Sequence, residues 1–312
     1  MRSSRPRPSS SSCETRPETR VSSSDHPTRR PVVISGSTRL AGVIGNPVRH
    51  SMSPAIHNAA YEATGLDWAY VALPVTEDRV EAALLGAVAL GLEGVSVTMP
   101  HKTAAAQFCD ELTPAAARLG VVNSIRNVDG TLVGNNTDGT GFLRALLADG
   151  WSANGRRVVV VGAGGTARAL TAALVDAGAE QVLVAARREE AALEVATMAG
   201  AGARGIRLED MSASQWGDAD LVANTTPVGM VGSARPDASP APVAWLSSQC
   251  RVIDAVYHPL TTPLLAASRQ RGLSTLGGVE LLVGVSAEVF TWWTGVEAPM
   301  QVMVDAARTV LG

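Results

Sequence analysis

From Leu40 onward, short apolar runs bounded by turn residues alternate with longer stretches in which apolar positions recur every three or four residues. The short runs predict buried strands and the longer period predicts amphipathic helices, so the alternation predicts an α/β protein with parallel strands. The first half reads as strands at Leu40–Ile44, Trp68–Leu73 and Gly94–Thr98, with helices opening at Ser53-Pro54 and running over about residues 77–90. Ser53 offers a capping oxygen to an otherwise unbonded amide, and Pro54 has no amide to leave unbonded in the first turn. Asn127-Val128-Asp129-Gly130 predicts a turn joining residues 121–126 to 131–133, after which Asp138 opens a helix reaching about Asp149. In the second half, the valines of Arg157-Val158-Val159-Val160-Val161 have no polar break and predict a strand covered on both faces. Further strands are expected at Gln181–Ala185, Asp220–Ala223 and Arg251–Val256. Thr262-Pro263 repeats the cap signal and Gly272 closes that helix. Residues 278–311 read as two helices separated near 295–299, with Leu281, Leu282, Val285, Val289 and Trp292 on an apolar face that returns to the first half.

Composition narrows the class. The 312 residues are about two domains' worth of chain at roughly 150 residues each. No run approaches the roughly 20 apolar residues of a membrane-spanning helix, and a net charge of −3 gives no basic field for polyphosphate, so neither a membrane nor a nucleic-acid partner is expected. Cys13, Cys109 and Cys250 lie far apart, which supports neither a disulfide framework nor a metal site and fits a reducing cytoplasm. Residues 1–37 are rich in Ser, Arg and Pro, cannot bury a core, and are expected to be a disordered, dispensable tail. The tail is Arg-rich and acid-poor like a transit peptide, but it lacks an amphipathic repeat and the apolar core of a secretory signal. Of the 26 basic residues in the chain only Lys102 is lysine, the one of the two types whose charge can be tuned to donate and accept a proton.

Two regions carry chemistry. The valine strand runs into Gly162-Ala163-Gly164-Gly165-Thr166-Ala167, the GxGxxA form of the dinucleotide fingerprint, in the strand-to-helix context that the motif requires. A non-binding turn or an S-adenosyl cofactor site shares this pattern. The next strand ends at Arg187-Arg188 without the acid that would hold a ribose diol, and paired guanidinium groups suit a 2′-phosphate, so NADP is expected over NAD. Glu189 and Glu190 read as the first turn of the following helix. In the first half, polar clusters follow the strand ends, where ligands of open α/β sheets bind: Gly45-Asn46-Pro47 with His50-Ser51-Met52-Ser53-Pro54, then Val97-Thr98-Met99-Pro100-His101-Lys102, Val122-Asn123-Ser124 and Asn136-Thr137-Asp138-Gly139.

With Asn224-Thr225-Thr226-Pro227, Gly229-Met230 and Asp254-Ala255-Val256-Tyr257, these motifs stand in an order that resembles the shikimate dehydrogenase family from about Ala41 to the C-terminus. The resemblance implies NADP-linked interconversion of 3-dehydroshikimate and shikimate, with no metal, in a monomer or homodimer. It implies a substrate domain of residues 38–138 plus 279–312, a Rossmann-like cofactor domain of 139–278, and an active site in the cleft between them. By matching positions, Ser51, Ser53 and Tyr257 would hold the substrate's carboxylate end, with Thr98, Asn123, Lys102 and Asp138 around the ring hydroxyls and reacting carbonyl. Gly162 to Ala167, Arg187, Arg188, Thr226 and Gly278 would hold the cofactor. Lys102 and Asp138 are the catalytic pair, since a carbonyl that accepts hydride becomes an alkoxide that needs a proton and a neighbouring positive charge.

Other readings stand beside these. Ser53 and Asp138 are also good helix caps, Tyr257 also suits a strand end, and His50 and His101 read as loop-shaping neighbours of the motifs, with His57 on the first helix. Two departures matter: Ser96 stands where the family often has Asn, and Val285 where it usually has a Gln that reaches the substrate. Valine neither donates nor accepts a hydrogen bond. Quinate, aminoshikimate or another polyhydroxy cyclohexane acid is therefore the alternative substrate, and a catalytically silent NADP-binding scaffold is the alternative of a different class.

Overall fold

Val158 to Val161 lie in the middle of a sheet whose two faces are both covered, which is why the run has no polar break. The computed structural model describes residues 34–311. The valine strand is β7 (Arg157–Val161), in a parallel sheet completed by β8 (Gln181–Ala186), β9 (Ala203–Arg207), β10 (Leu221–Asn224), β11 (Arg251–Asp254) and β12 (Thr275–Leu276), in the order β12-β11-β10-β7-β8-β9. Its helices are α6 (Gly165–Asp176), α7 (Glu189–Ala199), α8 (Ala213–Gly217) and α9 (Pro263–Gln270). Thr262 caps α9 as expected, its Oγ1 accepting from the Leu265 amide at 3.2 Å.

An earlier sheet is built from β1 (Arg39–Gly45), β2 (Trp68–Pro74), β3 (Leu92–Val97), β4 (Glu111–Leu112), β5 (Ser124–Val128) and β6 (Thr131–Asn135), in the order β2-β1-β3-β5-β6-β4. Its helices are α1 (Ser53–Thr64), α2 (Val80–Ala89), α3 (Lys102–Gln107), α4 (Pro114–Leu119) and α5 (Asp138–Ala148). Here the all-parallel expectation is corrected. β1, β2 and β3 are parallel, but the turn at Asn127–Gly130 makes β5 and β6 an antiparallel hairpin, and β5 runs antiparallel to β3. The short β4 and α4 have no counterpart among the expected elements, although Thr113-Pro114 caps α4 and Gly120 closes it in the left-handed region.

α10 (Gly278–Thr294) and α11 (Met300–Leu311) pack with α1 over the first sheet. In place of a single apolar face, α10 carries two: Val279, Val283, Ala287, Phe290 and Trp293 enter the core beneath β1 and β2, and Leu281 enters the core of the second sheet. α5 crosses α10 closely, since a Cβ on Gly284 would stand 2.1 Å from the Gly141 carbonyl oxygen. The expected tail lies outside the described residues as far as position 33. Its last residues are described, and Ser37 donates to the Asp67 carboxylate at 3.0 Å.

Three expected boundaries shift for physical reasons. β11 stops at Asp254 because that buried carboxylate accepts from the Val256 amide at 3.0 Å, from Asn224 Nδ2 at 2.8 Å and from the Thr262 hydroxyl at 2.6 Å, which turns the chain out of the sheet. The helix expected from Glu77 begins with a 3-10 turn, Glu77–Arg79. Ser53 is the first residue of α1 and makes no cap bond; its own amide donates to Ser51 Oγ at 3.2 Å.

His57 on α1 is fully enclosed, stacked on Tyr70 with ring centroids 4.4 Å apart, and burial lowers its pKa to about 3. Between that value and the ordinary histidine value of about 6.5, the unfolded chain binds a proton that the folded chain refuses, so stability falls as pH falls through this window. Urea denaturation of the wild type is expected to show a loss of about 2 kcal/mol between pH 6.5 and pH 5 from this group. His57→Phe, which keeps the stacking and removes the titration, should lack that component; an unchanged pH slope in the variant would refute the assignment.

Candidate active site

The carboxyl ends of β1 and β3 open into a cavity of about 440 Å³ lined also by α1 and α10. Lys102 opens α3 there, on a loop secured by its neighbour: His101 is buried, and its Nε2 lies 2.7 Å from the Val75 carbonyl oxygen. Lys102 Nζ donates to Asp138 Oδ2 at 2.5 Å, with both side chains largely buried. Asp138 begins α5 without capping it. Its carboxylate faces Lys102 and accepts from Asn123 Nδ2 at 2.7 Å, while its amide donates to Asn136 Oδ1 at 3.1 Å. Asn123 is fixed in turn, its Oδ1 accepting from the Thr137 amide at 2.9 Å. The amine therefore has one direction set by a carboxylate that is itself held from two sides, and its remaining protons are free for a ligand.

All seven residues expected to act on substrate line this cavity: Ser51, Ser53, Thr98, Lys102, Asn123, Asp138 and Tyr257. Tyr257 stands in the loop after β11 and remains 37% exposed, so it is not core packing. His50 also lines the cavity from an exposed loop. Both departures from the family pattern face the same space, Ser96 from β3 and Val285 from α10. Sequence reasoning missed His57 and Ser286 as lining residues; both lie on helical faces that read as packing. A larger groove of about 650 Å³ behind α5 is lined by Leu143, Leu147 and Trp151, and its one cation, Arg144, is already held by Glu288 and Glu297.

The expected cofactor residues lie outside the cavity, at the carboxyl ends of β7, β8 and β10. Gly162 has φ +122°, and a Cβ there would stand 2.5 Å from Thr225 Oγ1, so the turn after β7 requires glycine. At Gly164 and Gly165 a Cβ would meet nothing, and no side chain caps α6. Open ground before the free amides of a 12-residue helix is what a pyrophosphate needs. Ala167 is buried against the strand side of α6, Ala163 and Thr166 are half-buried, and Thr226 Oγ1 donates to Asn224 Oδ1 at 2.7 Å beside Gly162. Arg187 and Arg188 are exposed at the end of β8, and neither forms an ion pair among the described residues. Glu189 and Glu190 form the first turn of α7, as expected. These residues fit a phosphorylated dinucleotide. Gly278 differs: a Cβ there would stand 2.5 Å from the Val256 carbonyl, so its glycine is explained by packing of α10 against the end of β11.

The sequence and fold have clear relatives. A family model described as the shikimate dehydrogenase substrate binding domain matches residues 43–125, and one described as shikimate / quinate 5-dehydrogenase matches residues 146–227. A shikimate dehydrogenase (NADP(+)) of Moorella thermoacetica is 43% identical over 286 residues, covering 90% of this chain and 96% of its own. The chain belongs to the shikimate dehydrogenase family. Among solved structures, shikimate 5-dehydrogenase from Thermus thermophilus in complex with NADP(H) and shikimate matches with a TM-score of 0.78 and 36% identity, over 88% of this chain and 100% of that one. Quinate dehydrogenase from Corynebacterium glutamicum in complex with NAD matches with a TM-score of 0.80 and 29% identity, over 87% and 99% of the two chains. Proteins named for shikimate and for quinate thus share this scaffold.

Lys102→Ala and Asp138→Asn should each lower kcat by about 10²- to 10⁴-fold, the range for loss of a positioned proton donor or its partner. Steady-state kinetics with circular dichroism on the same samples checks this. Wild-type turnover in a folded Lys102→Ala protein would remove the lysine from the chemistry.

Proposed function

We propose that this protein catalyses the reversible, NADP-dependent reduction of 3-dehydroshikimate to shikimate, a step of aromatic amino-acid biosynthesis, in the cytoplasm. The observation that carries the reading is the Lys102–Asp138 pair, 2.5 Å apart inside a cavity rimmed by Ser51, Ser53, Thr98, Asn123 and Tyr257. In this reading residues 38–138 with 279–312 form the substrate domain, residues 139–278 form the cofactor domain, and the reacting groups meet between them.

The cofactor, when bound, supplies hydride to the ring carbonyl carbon. Gly162 to Ala167 receive its pyrophosphate at the α6 N-terminus, with Thr226 beside them, and Arg187 and Arg188 receive its 2′-phosphate. Ser51, Ser53 and Tyr257 anchor the substrate carboxylate, and Thr98 and Asn123 orient ring hydroxyls, so that the carbonyl oxygen lies against Lys102 Nζ. As negative charge develops on that oxygen, the ammonium stabilises it and delivers a proton. Asp138 keeps the amine aimed during the approach. In the reverse direction the same pair removes the proton from the hydroxyl. A catalytically silent scaffold has no use for this half-buried, doubly braced ion pair.

A second substrate reading is favoured by one observation: Ser96 and Val285 both face the cavity and together remove two long polar side chains that the family usually places there. Val285 offers no hydrogen bond to a ring substituent, which relaxes the discrimination between shikimate and a ring that differs there, as quinate or aminoshikimate does. Initial rates with shikimate, quinate and aminoshikimate at mildly alkaline pH are expected to show shikimate dominant. Dominance of another acid would keep the chemistry and move the substrate, with Val285→Gln the substitution to shift preference back. For the cofactor, the double variant Arg187→Ala/Arg188→Ala should raise KM for NADP by roughly 10- to 100-fold, the worth of charge-assisted hydrogen bonds, and leave KM for NAD nearly unchanged. Equal wild-type efficiency with NAD and NADP would overturn the 2′-phosphate role.

A further inference from the structure

Directly behind the substrate cavity lies a layer of aromatic residues whose polar atoms have no partners. Tyr70 on β2 is 1% exposed and its Oη makes no hydrogen bond; the same holds for Nδ1 of His57 and Nε1 of Trp293. The three rings form one cluster, with Tyr70 stacked on His57 at 4.4 Å and on Trp293 at 6.1 Å between centroids, and His57 tilted against Trp293 at 5.8 Å. The backbone of Tyr70 is clamped to α1 in both directions, its amide donating to Asn58 Oδ1 at 2.8 Å and its carbonyl accepting from Asn58 Nδ2 at 2.9 Å. The helix that carries Ser53 and His57 into the cavity is thereby held in register with the phenol. Burial raises the Tyr70 pKa, and the nearby hydroxyls of Ser53 and Ser96 pull it the other way, yet neither is placed to bond it.

An unpartnered buried hydroxyl is destabilising, and phenylalanine would fill the same space without that cost. The groups beside it explain the hydroxyl. Ser53 and Ser96 both line the cavity, and a serine that donates its single proton to a bound anion leaves its lone pairs facing away from that anion. We propose that Tyr70 is a positioning residue for substrate binding: its phenol donates to Ser53, with Ser96 adjoining, once Ser53 donates to the substrate's carboxylate. The chain runs phenol to serine to carboxylate, and each donor polarises the next. His57 is neutral throughout the working range and acts by holding the ring, not by supplying charge. An asparagine at position 96 would carry its amide further from the backbone than serine carries its hydroxyl. Serine there leaves the phenol free to answer the ligand.

This proposal rests on the assignment of Ser53 to a carboxylate end, which shikimate, quinate and aminoshikimate share. The experiment is a cycle of Tyr70→Phe, Ser53→Ala and the double variant, assayed with whichever of those three acids the wild type turns over best, so that a wrong substrate assignment leaves the test intact. Tyr70→Phe is expected to have a Tm equal to or above wild type and a KM for the acid raised roughly tenfold, the order of one buried hydrogen bond. Its kcat and its KM for NADP should stay within about twofold of wild type, with KM tracking binding when chemistry is slow. In the Ser53→Ala background the Tyr70 effect should vanish, because the serine transmits it. A KM unchanged by Tyr70→Phe, or a full Tyr70 effect that persists without Ser53, would overturn the proposal, and so would a lower Tm with unaltered kinetics.

Discussion

The contact on which the site's geometry depends is the crossing of α5 and α10. A Cβ on Gly284 would stand 2.1 Å from the Gly141 carbonyl oxygen, and a Cβ on Gly141 would stand 2.4 Å from the Val285 backbone, so these helices approach at a distance that only glycine permits. On its other side α5 is equally close to α6, where a Cβ on Gly139 would stand 2.2 Å from the Ala169 carbonyl oxygen. α5 begins with Asp138, α10 carries Val285 and Ser286, and α6 begins at the phosphate-binding turn. Three helix positions therefore set where the Asp138 carboxylate, the cavity wall and the glycine turn before α6 stand relative to one another. Because close-packed interfaces have few alternative arrangements, an added methyl here is expected to be felt as displacement of the site and not only as lost stability.

The ion pair at the centre of the cavity belongs to function more than to folding. Lys102 and Asp138 keep 29% and 15% of their side-chain surface, enough water contact to screen their attraction and enough burial to make desolvation costly. A pair of this kind contributes little net stability. What surrounds it serves orientation: Asn123 holds the carboxylate, Asn136 Oδ1 accepts from the Asp138 backbone amide, Val75 holds the His101 loop, and the Lys102 carbonyl accepts from the Val122 amide at 2.9 Å to tie α3 to β5's approach. Positioning a proton donor within its hydrogen-bonding range is worth more to the reaction than its charge is worth to the fold.

The parts legible in the sequence are those in which a local pattern and a tertiary role coincide. The valines of β7, the Asn127–Gly130 turn, the Thr262-Pro263 cap and the glycine turn at Gly162 each have one favourable structural solution. Lys102 stands out because its residue type is otherwise absent from the chain. The illegible parts depend on contacts distant in sequence. β11 reads as continuing to Val256 through its apolar residues, and only the meeting of Asp254 with Asn224 and Thr262 ends it. β5 is the antiparallel neighbour of β3, with β6 beyond it in the hairpin, although the alternation of runs implies parallel strands, since hydropathy carries no sign of direction. α4 carries the same Thr-Pro signal as α9, but a six-residue helix gives too short a period to register. His57 and Tyr70 sit in patterns that demand only an apolar face, and nothing local distinguishes a ring that fills space from one that backs a ligand site.

That distinction bears on how this family changes substrates. Ser96 and Val285 occupy different elements, yet both shorten or remove polar reach into the same cavity. A single loss of this kind leaves a substrate hydroxyl unpaired and costs discrimination. A serine and a valine at these two positions leave the lining with less polar reach from β3 and α10, while the Lys102–Asp138 pair stays in place. In the proposed reading, the serines and the Lys102–Asp138 pair would fix where the ring lies, and the side chains at positions 96 and 285 would bear on which ring fits. On the same reading, substitution at Ser96 or Val285 would alter substrate preference while leaving the Lys102–Asp138 geometry as it is, since neither residue bonds the pair.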